Sequence, residues 1–472
     1  MNWDQLFFLR HEILLSLLIV FELVADLSDS SARQSLVNTT IVLFAGLTVA
    51  GFIPLANEAS LFGGMYASDD LRILLKNILN VSTLVFLLQS AGWLNQSQNS
   101  YKTGSFYLLL FSTLLGMYLM ICAGDFIMLY LGLELATIPL TLLAAYDHNL
   151  RRSAEAGIKL LMSSAVSSAV MLFGLSLMYG IYGSLHFSEM SQQGAMGGSL
   201  GVLALTFFIA GLGFKLSLVP FHLWTADVYE GSPLPVTMYF SVVSKGAALF
   251  TLMLVLYRVF GQFTGVWSLL SYALAVLTML IGNLFALRQK NLKRFMAFSS
   301  ITQAGFMMLG FVNPEALGMN TIIYFMLIYS FSNLAVFGVL SIIHNRYGKE
   351  QIEDLNGFYK TNPGLSLILL LALFSLAGIP PVAGFFGKFF LFTAAASRGL
   401  YFLVLIAVLN ATISLYYYLL VVKAMFINPN DQPLPAVTLT GAERLALVLC
   451  VLGIVVIGFM SSIYGYIRTV VG

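Results

Sequence analysis

Four lysines lie inside long apolar stretches of the sequence, where a positive charge is costly: Lys159, Lys215, Lys245 and Lys388. A lysine at the centre of a bilayer costs roughly 2.5–3.5 kcal/mol on insertion scales, so such residues usually have a function. Burial disfavours the charged form of a lysine, which allows the amine to take up and release a proton between water chains from two sides. The pattern is typical of an ion or proton path through a membrane.

The carboxylate that lies deepest in an apolar stretch belongs to Glu134, nine residues after Asp125. At 1.5 Å per residue it lies roughly 13 Å into a hydrocarbon core about 30 Å thick. Lys159 enters the next apolar stretch from the opposite side, and the short connection makes the two stretches neighbours. We therefore expect an ion pair between Glu134 and Lys159. The alternatives are a protonated Glu134 in a helix contact and a Lys159 that reaches back to the interface.

Prolines interrupt two of the apolar stretches, with Pro220 in the first and Pro380 and Pro381 in the second. Proline removes a backbone donor and breaks a helix, which is tolerable at membrane depth only where the freed groups face protein or water. We predict broken spans over 199–229 and 363–396. Corresponding breaks in two halves of a chain are typical of transporters built from repeats.

Other ionisable residues have weaker signals. His222 follows the first break and could relay protons, because the unperturbed pKa of histidine is near 6.5, or it could be structural. Asp227 and Glu230 are expected to cap helix ends rather than to attract protons. Lys76 lies one turn from Arg72 near a span end, and we expect its side chain to reach the interface.

The composition indicates an all-α, polytopic membrane protein. Of 472 residues, 59% are hydrophobic and only 9% are charged, with a mean hydropathy of +0.89, whereas soluble domains carry roughly 25% charged residues. The chain has room for about 14 transmembrane helices, and we expect two inverted five-helix repeats, each with a Pro-broken helix. The corresponding segments are an N-terminal three-helix segment, two repeats and a C-terminal helix: 1–103, 104–260, 261–426 and 427–472.

Several functions are disfavoured by what the sequence contains. No basic run indicates nucleic acid, and Cys122 and Cys450 lie in apolar runs without metal-ligand spacing. No connection is large enough to hold a flavin, a nucleotide or an iron–sulfur cluster, so we expect neither a bound cofactor nor a metal in this chain. Most loop lysines and arginines fall opposite the predicted termini, which places both termini on the non-cytoplasmic side.

Four segments carry a resemblance that spans essentially the whole chain: PFHLWTADVYEGSP, GLELATIPL, SAEAGIKLLMSSAV and SLAGIPPVAGFFGKFFLF. They resemble the antiporter-like membrane subunits of bacterial respiratory complex I, the proton-translocating NADH:quinone oxidoreductase, a group that includes Mrp-type antiporter subunits. The resemblance implies a multi-pass protein of the bacterial inner (plasma) membrane, assembled with sister and small membrane subunits. It also implies that FMN, iron–sulfur clusters and quinone lie in partner subunits.

The resemblance further implies a role for each buried ionisable residue. Glu134 and Lys159 would form a charge pair, and Lys215 would be the central lysine of a first half-channel. Lys245 and His222 would form a connecting relay, and Lys388 would end the second half-channel. Gln303 departs from the family, which often has a histidine there, so a protonic role for Gln303 is disfavoured.

Three functional hypotheses remain open at this point. The first is a proton-channel subunit of a respiratory complex, coupled to electron transfer in other subunits. The second is an Mrp-type cation/proton antiporter subunit or a membrane-bound hydrogenase subunit. The third is a structural spacer, in which neutral substitutions at the buried lysines would leave proton pumping intact.

Overall fold

The computed structural model describes residues 7–27, 33–54, 58–96, 102–147 and 150–472, and their structure is almost entirely helical. The helices in chain order are α1 (Arg10–Leu27), α2 (Arg33–Gly51), α3 (Asp70–Leu94), α4 (Thr103–Cys122), α5 (Phe126–Ala144), α6 (Arg151–Tyr182), α7 (Phe187–Gln192), α8 (Gly198–Leu216), α9 (Leu223–Gly231), α10 (Leu234–Arg258), α11 (Thr264–Ala286), α12 (Leu292–Phe311), α13 (Ala316–Tyr347), α14 (Phe358–Thr361), α15 (Pro363–Ala377), α16 (Ala383–Ala396), α17 (Tyr401–Phe426), α18 (Gly441–Phe459) and α19 (Ser461–Val471).

Ten of the described helices are long and apolar enough to cross a membrane. They are α3, α4, α5, α6, α8, α10, α11, α13, α17 and α18. Other described helices are shorter or more charged. α1 carries Arg10, two glutamates and Asp26 within 18 residues, and α15 and α16 are the two short arms of a broken span.

A short hairpin, which the sequence analysis did not predict, connects α2 to α3. Strands β1 (Ala59–Leu61) and β2 (Tyr66–Ser68) pair antiparallel, with Leu61 opposite Tyr66. The turn contains Gly63 and Gly64, both with positive φ, which glycine adopts without steric cost. Asp69 then accepts a hydrogen bond from the backbone N–H of Arg72 and so caps the start of α3.

Both predicted helix breaks are confirmed. α8 ends at Leu216 and α9 begins at Leu223, with Pro220 between them. α15 ends at Ala377 and α16 begins at Ala383, with Pro380 and Pro381 between them. Each break contains a cis peptide bond, at Val219–Pro220 and at Pro380–Pro381.

The chain divides into two compact units. The first comprises residues 1–215, 231–236 and 243–266, and the second comprises 216–230, 237–242 and 267–472. In the first unit, α4 packs closely against α1, α5 and α10. In the second, the long α13 packs against α15, α16 and α18. The first break and part of α10 therefore belong with the second unit.

Candidate functional site

Glu134 and Lys215 lie in the first unit and are coupled electrostatically, without a direct ion pair among the described contacts. Glu134 lies midway along α5 and is half-buried, and one of its carboxylate oxygens, Oε1, has no hydrogen-bond partner among the described residues. Its negative charge acts on the ammonium of Lys215, which lies in the last turn of α8. A half-buried carboxylate with a spare acceptor can hold a proton or a water molecule.

Lys159 forms an ion pair with Glu155, one helical turn earlier on α6, with 2.8 Å between Nζ and Oε1. The side chains are 42% and 57% exposed. From the sequence we expected Lys159 to pair with Glu134. The i,i+4 spacing on one helix face accounts for the Glu155 pair.

Lys245 is buried, with 1% of its surface exposed, and it follows an irregular turn in α10. Residues Phe240–Ser244 form a π-helix, in which each turn holds an extra residue. Such insertions are rare and occur frequently at functional sites. Hydroxyl and amide groups surround this turn within the second unit, because Ser241 bonds both Tyr329 and Asn333 of α13.

At the first break, a side chain of the second unit satisfies a backbone N–H group. The N–H of Val219 donates to the hydroxyl of Thr278 on α11 at 3.1 Å. His222 is half-buried, and its ring nitrogen Nδ1 has no partner among the described residues. The site therefore has the polar character that a break at membrane depth requires.

Asp227 and Glu230 on α9 both bind Arg294 on α12, at 2.8 and 2.7 Å. The prediction that they cap helix ends is wrong, because their carboxylates neutralise a guanidinium on a neighbouring helix. Asp227 lies beyond the first turn of α9, which starts at Leu223. A capping side chain must reach the first free N–H groups of its helix, whereas these two project sideways to α12.

Lys388 binds the end of the helix before the second break. Its Nζ donates to the carbonyl of Ala377, the last residue of α15, at 2.8 Å. The same atom lies 4.4 Å from the centroid of the Phe306 ring, and only 4% of the residue is exposed. Carbonyls at a helix C-terminus carry partial negative charge. The break therefore supplies a site for the ammonium of Lys388, and none of its described contacts is a carboxylate.

A hydrogen-bonded chain of neutral side chains starts at the adjacent carbonyl. Gln303 donates from Nε2 to the carbonyl of Leu376 at 3.0 Å and to the hydroxyl of Tyr418 at 3.2 Å. Tyr418 in turn bonds Ser299 at 2.5 Å. Sequence reasoning missed Tyr418 and Ser299, because an isolated Tyr or Ser in an apolar helix gives no periodic or charge signal.

Lys76 is fully buried, so the prediction that it reaches the interface is wrong. Its Nζ lies 3.0 Å from Oε1 of Glu12 on α1 and 3.4 Å from the hydroxyl of Tyr66. The preceding residue of α1, His11, bonds Asn77 at 3.1 Å. The N-terminal helices thus enclose a buried ion pair, at a different place from Glu134 and Lys215.

Comparison with known proteins identifies the family of this chain. The sequence profile described as "NADH:quinone oxidoreductase/Mrp antiporter, TM" matches residues 123–414. The chain belongs to this family. The matched range contains every predicted proton-path lysine and both helix breaks, whereas Glu12 and Lys76 lie outside it.

Curated members of the family are similar over nearly the whole chain. The NADH-quinone oxidoreductase subunit N of Azobacteroides pseudotrichonymphae is 48% identical, covering 97% of this chain and 96% of its own. The subunit N of Phocaeicola vulgatus is 52% identical over 86% of each chain. A chain in a structure of respiratory complex I from Thermus thermophilus superposes with a TM-score of 0.82 at 29% identity, covering 96% of this chain and 97% of its own.

Proposed function

We propose that this chain is subunit N of a proton-translocating NADH:quinone oxidoreductase, and that it carries protons along its buried lysines. The observation that carries the first part is the near full-length similarity to subunit N relatives. The chain is a membrane-arm subunit, and it works with other membrane subunits of that complex. FMN, iron–sulfur clusters and quinone belong to partner subunits.

In the first unit, the path begins at the proposed charge pair of Glu134 and Lys159, and it continues through Lys215 to Lys245. The charge of Glu134 on Lys215 supports this order. Lys159 is the residue of the Glu134–Lys159 pair that moves. Its exposed ion pair with Glu155 is weak, so Lys159 can exchange Glu155 for Glu134. Reduction of quinone elsewhere in the complex shifts this pairing, which changes the protonation of Lys215.

In the second unit, the path uses His222 and ends at Lys388. The carbonyls of Leu376 and Ala377 and the hydroxyl of Tyr418 support a water-compatible route beside Lys388. Gln303 orders this route without carrying charge, since an amide does not titrate.

The proposal includes an arrangement in the membrane. Fourteen crossings form two inverted five-helix repeats, at 104–260 and 261–426, flanked by the segments 1–103 and 427–472. Both termini lie on the non-cytoplasmic side of a bacterial inner membrane. The matched interruptions between Leu216 and Leu223 and between Ala377 and Ala383 support the repeats.

The test replaces the proposed proton carriers in the assembled complex. Lys215→Ala and Glu134→Ala should abolish or strongly reduce proton pumping, measured as acidification of inverted vesicles per NADH oxidised. The matched control is Lys360→Gln, because Lys360 is exposed on α14 and this variant should pump normally. Full pumping by assembled Lys215→Ala or Glu134→Ala complexes would refute the path.

An antiporter would behave differently in the same vesicles. Proton exchange that depends on Na⁺ or K⁺ and proceeds without NADH oxidation or partner subunits would favour the Mrp-type function. Proton movement that requires NADH and is indifferent to the cation supports the proposed one.

A further inference from the structure

A cavity of about 260 Å³ lies in the first unit where three membrane helices end. α3 begins at Asp70, α4 ends at Cys122 and α10 ends at Arg258, and residues adjoining these ends line the cavity. The ends of membrane helices mark the level of lipid headgroups. The cavity is therefore at the interface, and Lys159, Lys215, Lys245 and Lys388 do not line it.

Within the described lining of this cavity, the charged residues are Arg72 and Arg258. Arg72 is held in place, because its Nη1 binds Asp69 at 2.6 Å and its Nε donates to the carbonyl of Ile121 at 3.1 Å. Arg258 binds Asp69 through Nη1 at 2.5 Å, and its side chain is 40% exposed. A guanidinium has five N–H donors, so Arg258 keeps donors for a further acceptor.

The charges of Asp69, Arg72 and Arg258 do not cancel. Burial by itself would raise the pKa of Asp69, but the guanidinium groups of Arg72 and Arg258 lower it below its usual range, so the carboxylate stays ionised. Two positive charges and one negative charge leave an excess positive charge at the cavity wall. A guanidinium with remaining donors is well suited to phosphate oxygens.

The remaining lining is divided between hydroxyl groups and apolar side chains. The hydroxyl residues are Ser60, Ser188 and Ser191, and the apolar ones include Met120, Leu254 and Val255. A free phosphate ion needs no apolar wall, whereas a lipid presents a phosphate and the start of two acyl chains together. The lining therefore fits an amphiphile.

We propose that this cavity, called here the Arg72–Arg258 cavity, binds the phosphate headgroup of an anionic phospholipid. Arg258 contacts the phosphate, Arg72 and Asp69 hold Arg258 in position, and the apolar wall receives the first part of an acyl chain. The site is independent of the proton path, since none of the proposed proton carriers lines it.

The experiment uses the assembled complex in phosphatidylcholine vesicles that contain a minor fraction of photoactivatable phosphatidylglycerol. After illumination, mass spectrometry should find the label on peptides from 60–67 and 254–259. Arg258→Gln should lower this labelling about fivefold, the factor equivalent to about 1 kcal/mol for one basic side chain at an anionic surface. Arg258→Lys should retain part of it.

The matched control is Arg398→Gln. Arg398 is also exposed and paired with one carboxylate, Glu315 at 3.4 Å, but it does not line this cavity. Its replacement should leave labelling of the cavity peptides unchanged. Unlabelled phosphatidylglycerol should compete in the wild-type complex, which tests the proposal even if Arg258→Gln fails to assemble.

Three results would overturn the proposal. The first is equal labelling by a photoactivatable phosphatidylcholine. The second is equal competition by inorganic phosphate, which would assign the site to a soluble anion. The third is undiminished labelling in an assembled Arg258→Gln complex.

Discussion

Lys76 and Glu12 form a buried ion pair whose partners are 64 residues apart in the sequence. An apolar stretch reveals that a lysine is buried, but the position of its partner depends on how distant helices pack. Lys76 therefore could not be assigned from its local neighbours, which placed it beside Arg72 at a span end. Lys215 and Lys388 were easier to recognise, because each lies next to a proline break that is visible in the sequence.

Breaking the Glu12–Lys76 pair should destabilise the subunit. Glu12→Gln leaves a buried ammonium without its counter-charge, and removing one partner of such a pair costs about 3–5 kcal/mol. The expected result is a lower thermal midpoint and a lower yield of assembled complex, measured by heating purified membranes and by native electrophoresis.

The double variant separates the charge from the packing. In Glu12→Gln with Lys76→Met, no unpaired charge remains, and much of the stability should return, because an apolar replacement for a buried pair is often neutral. If the single variant were as stable as the wild type, the pair would not contribute to stability.

At the scale of elements, sequence reasoning located the broken helices but missed other irregularities. Proline identifies a break because it lacks the N–H that an α-helix requires. The hairpin at 59–68 and the π-helix at Phe240–Ser244 lack such a signal. The contacts of Asp227 and Glu230 were also missed, since the first turn of a separate helix, α12, supplies their arginine.

Gly378 allows α15 to end where Lys388 can reach its last carbonyl. Gly378 has φ +88°, and an added Cβ would lie 2.9 Å from Cδ of Lys388. Gly378→Ala should therefore lower stability by about 1–2 kcal/mol through backbone strain. It should also reduce the protons pumped per NADH oxidised, because the lysine side chain must move.

Gly399→Ala is the control for backbone strain alone. Gly399 has φ +73° and no heavy atom within 4 Å of an added Cβ. This variant should lose similar stability but pump normally. Equal pumping by both variants would argue against a role for the position of Lys388.

Arg294 fixes α9, the short helix after the first break, to α12. Its ion pairs with Asp227 and Glu230 are about one-third exposed, so each contributes modestly, about 0.2–1 kcal/mol. Arg294→Gln should speed amide hydrogen exchange in residues 223–231, measured by mass spectrometry of the assembled complex. Arg288→Gln, which replaces an exposed arginine before α12, should leave that exchange unchanged. Unchanged exchange in Arg294→Gln would show that α9 is held by other contacts.

For the whole molecule, composition predicted the class correctly, because a soluble chain could not keep so many long apolar runs in water with so few charges. The ten helices in the described part of the chain that are long enough to span a membrane, together with the family profile, agree with that class. The grouping into compact units was harder to predict, since residues 216–230 and 237–242 belong to the second unit although most of the chain around them belongs to the first. Connectivity shows which helices follow one another, whereas packing decides which of them form one core.

The orientation of the whole chain can be tested by cysteine labelling, because both native cysteines, Cys122 and Cys450, are buried and should give little background. Asp431 is exposed between α17 and α18, on the predicted cytoplasmic side, and Gly472 is the last residue. In right-side-out vesicles, a membrane-impermeant maleimide should label Gly472→Cys and spare Asp431→Cys. Inverted vesicles should give the reverse pattern. Labelling of both positions in one kind of sealed vesicle would mean that α18 and α19 together do not cross the membrane, and an exchanged pattern would place the termini in the cytoplasm.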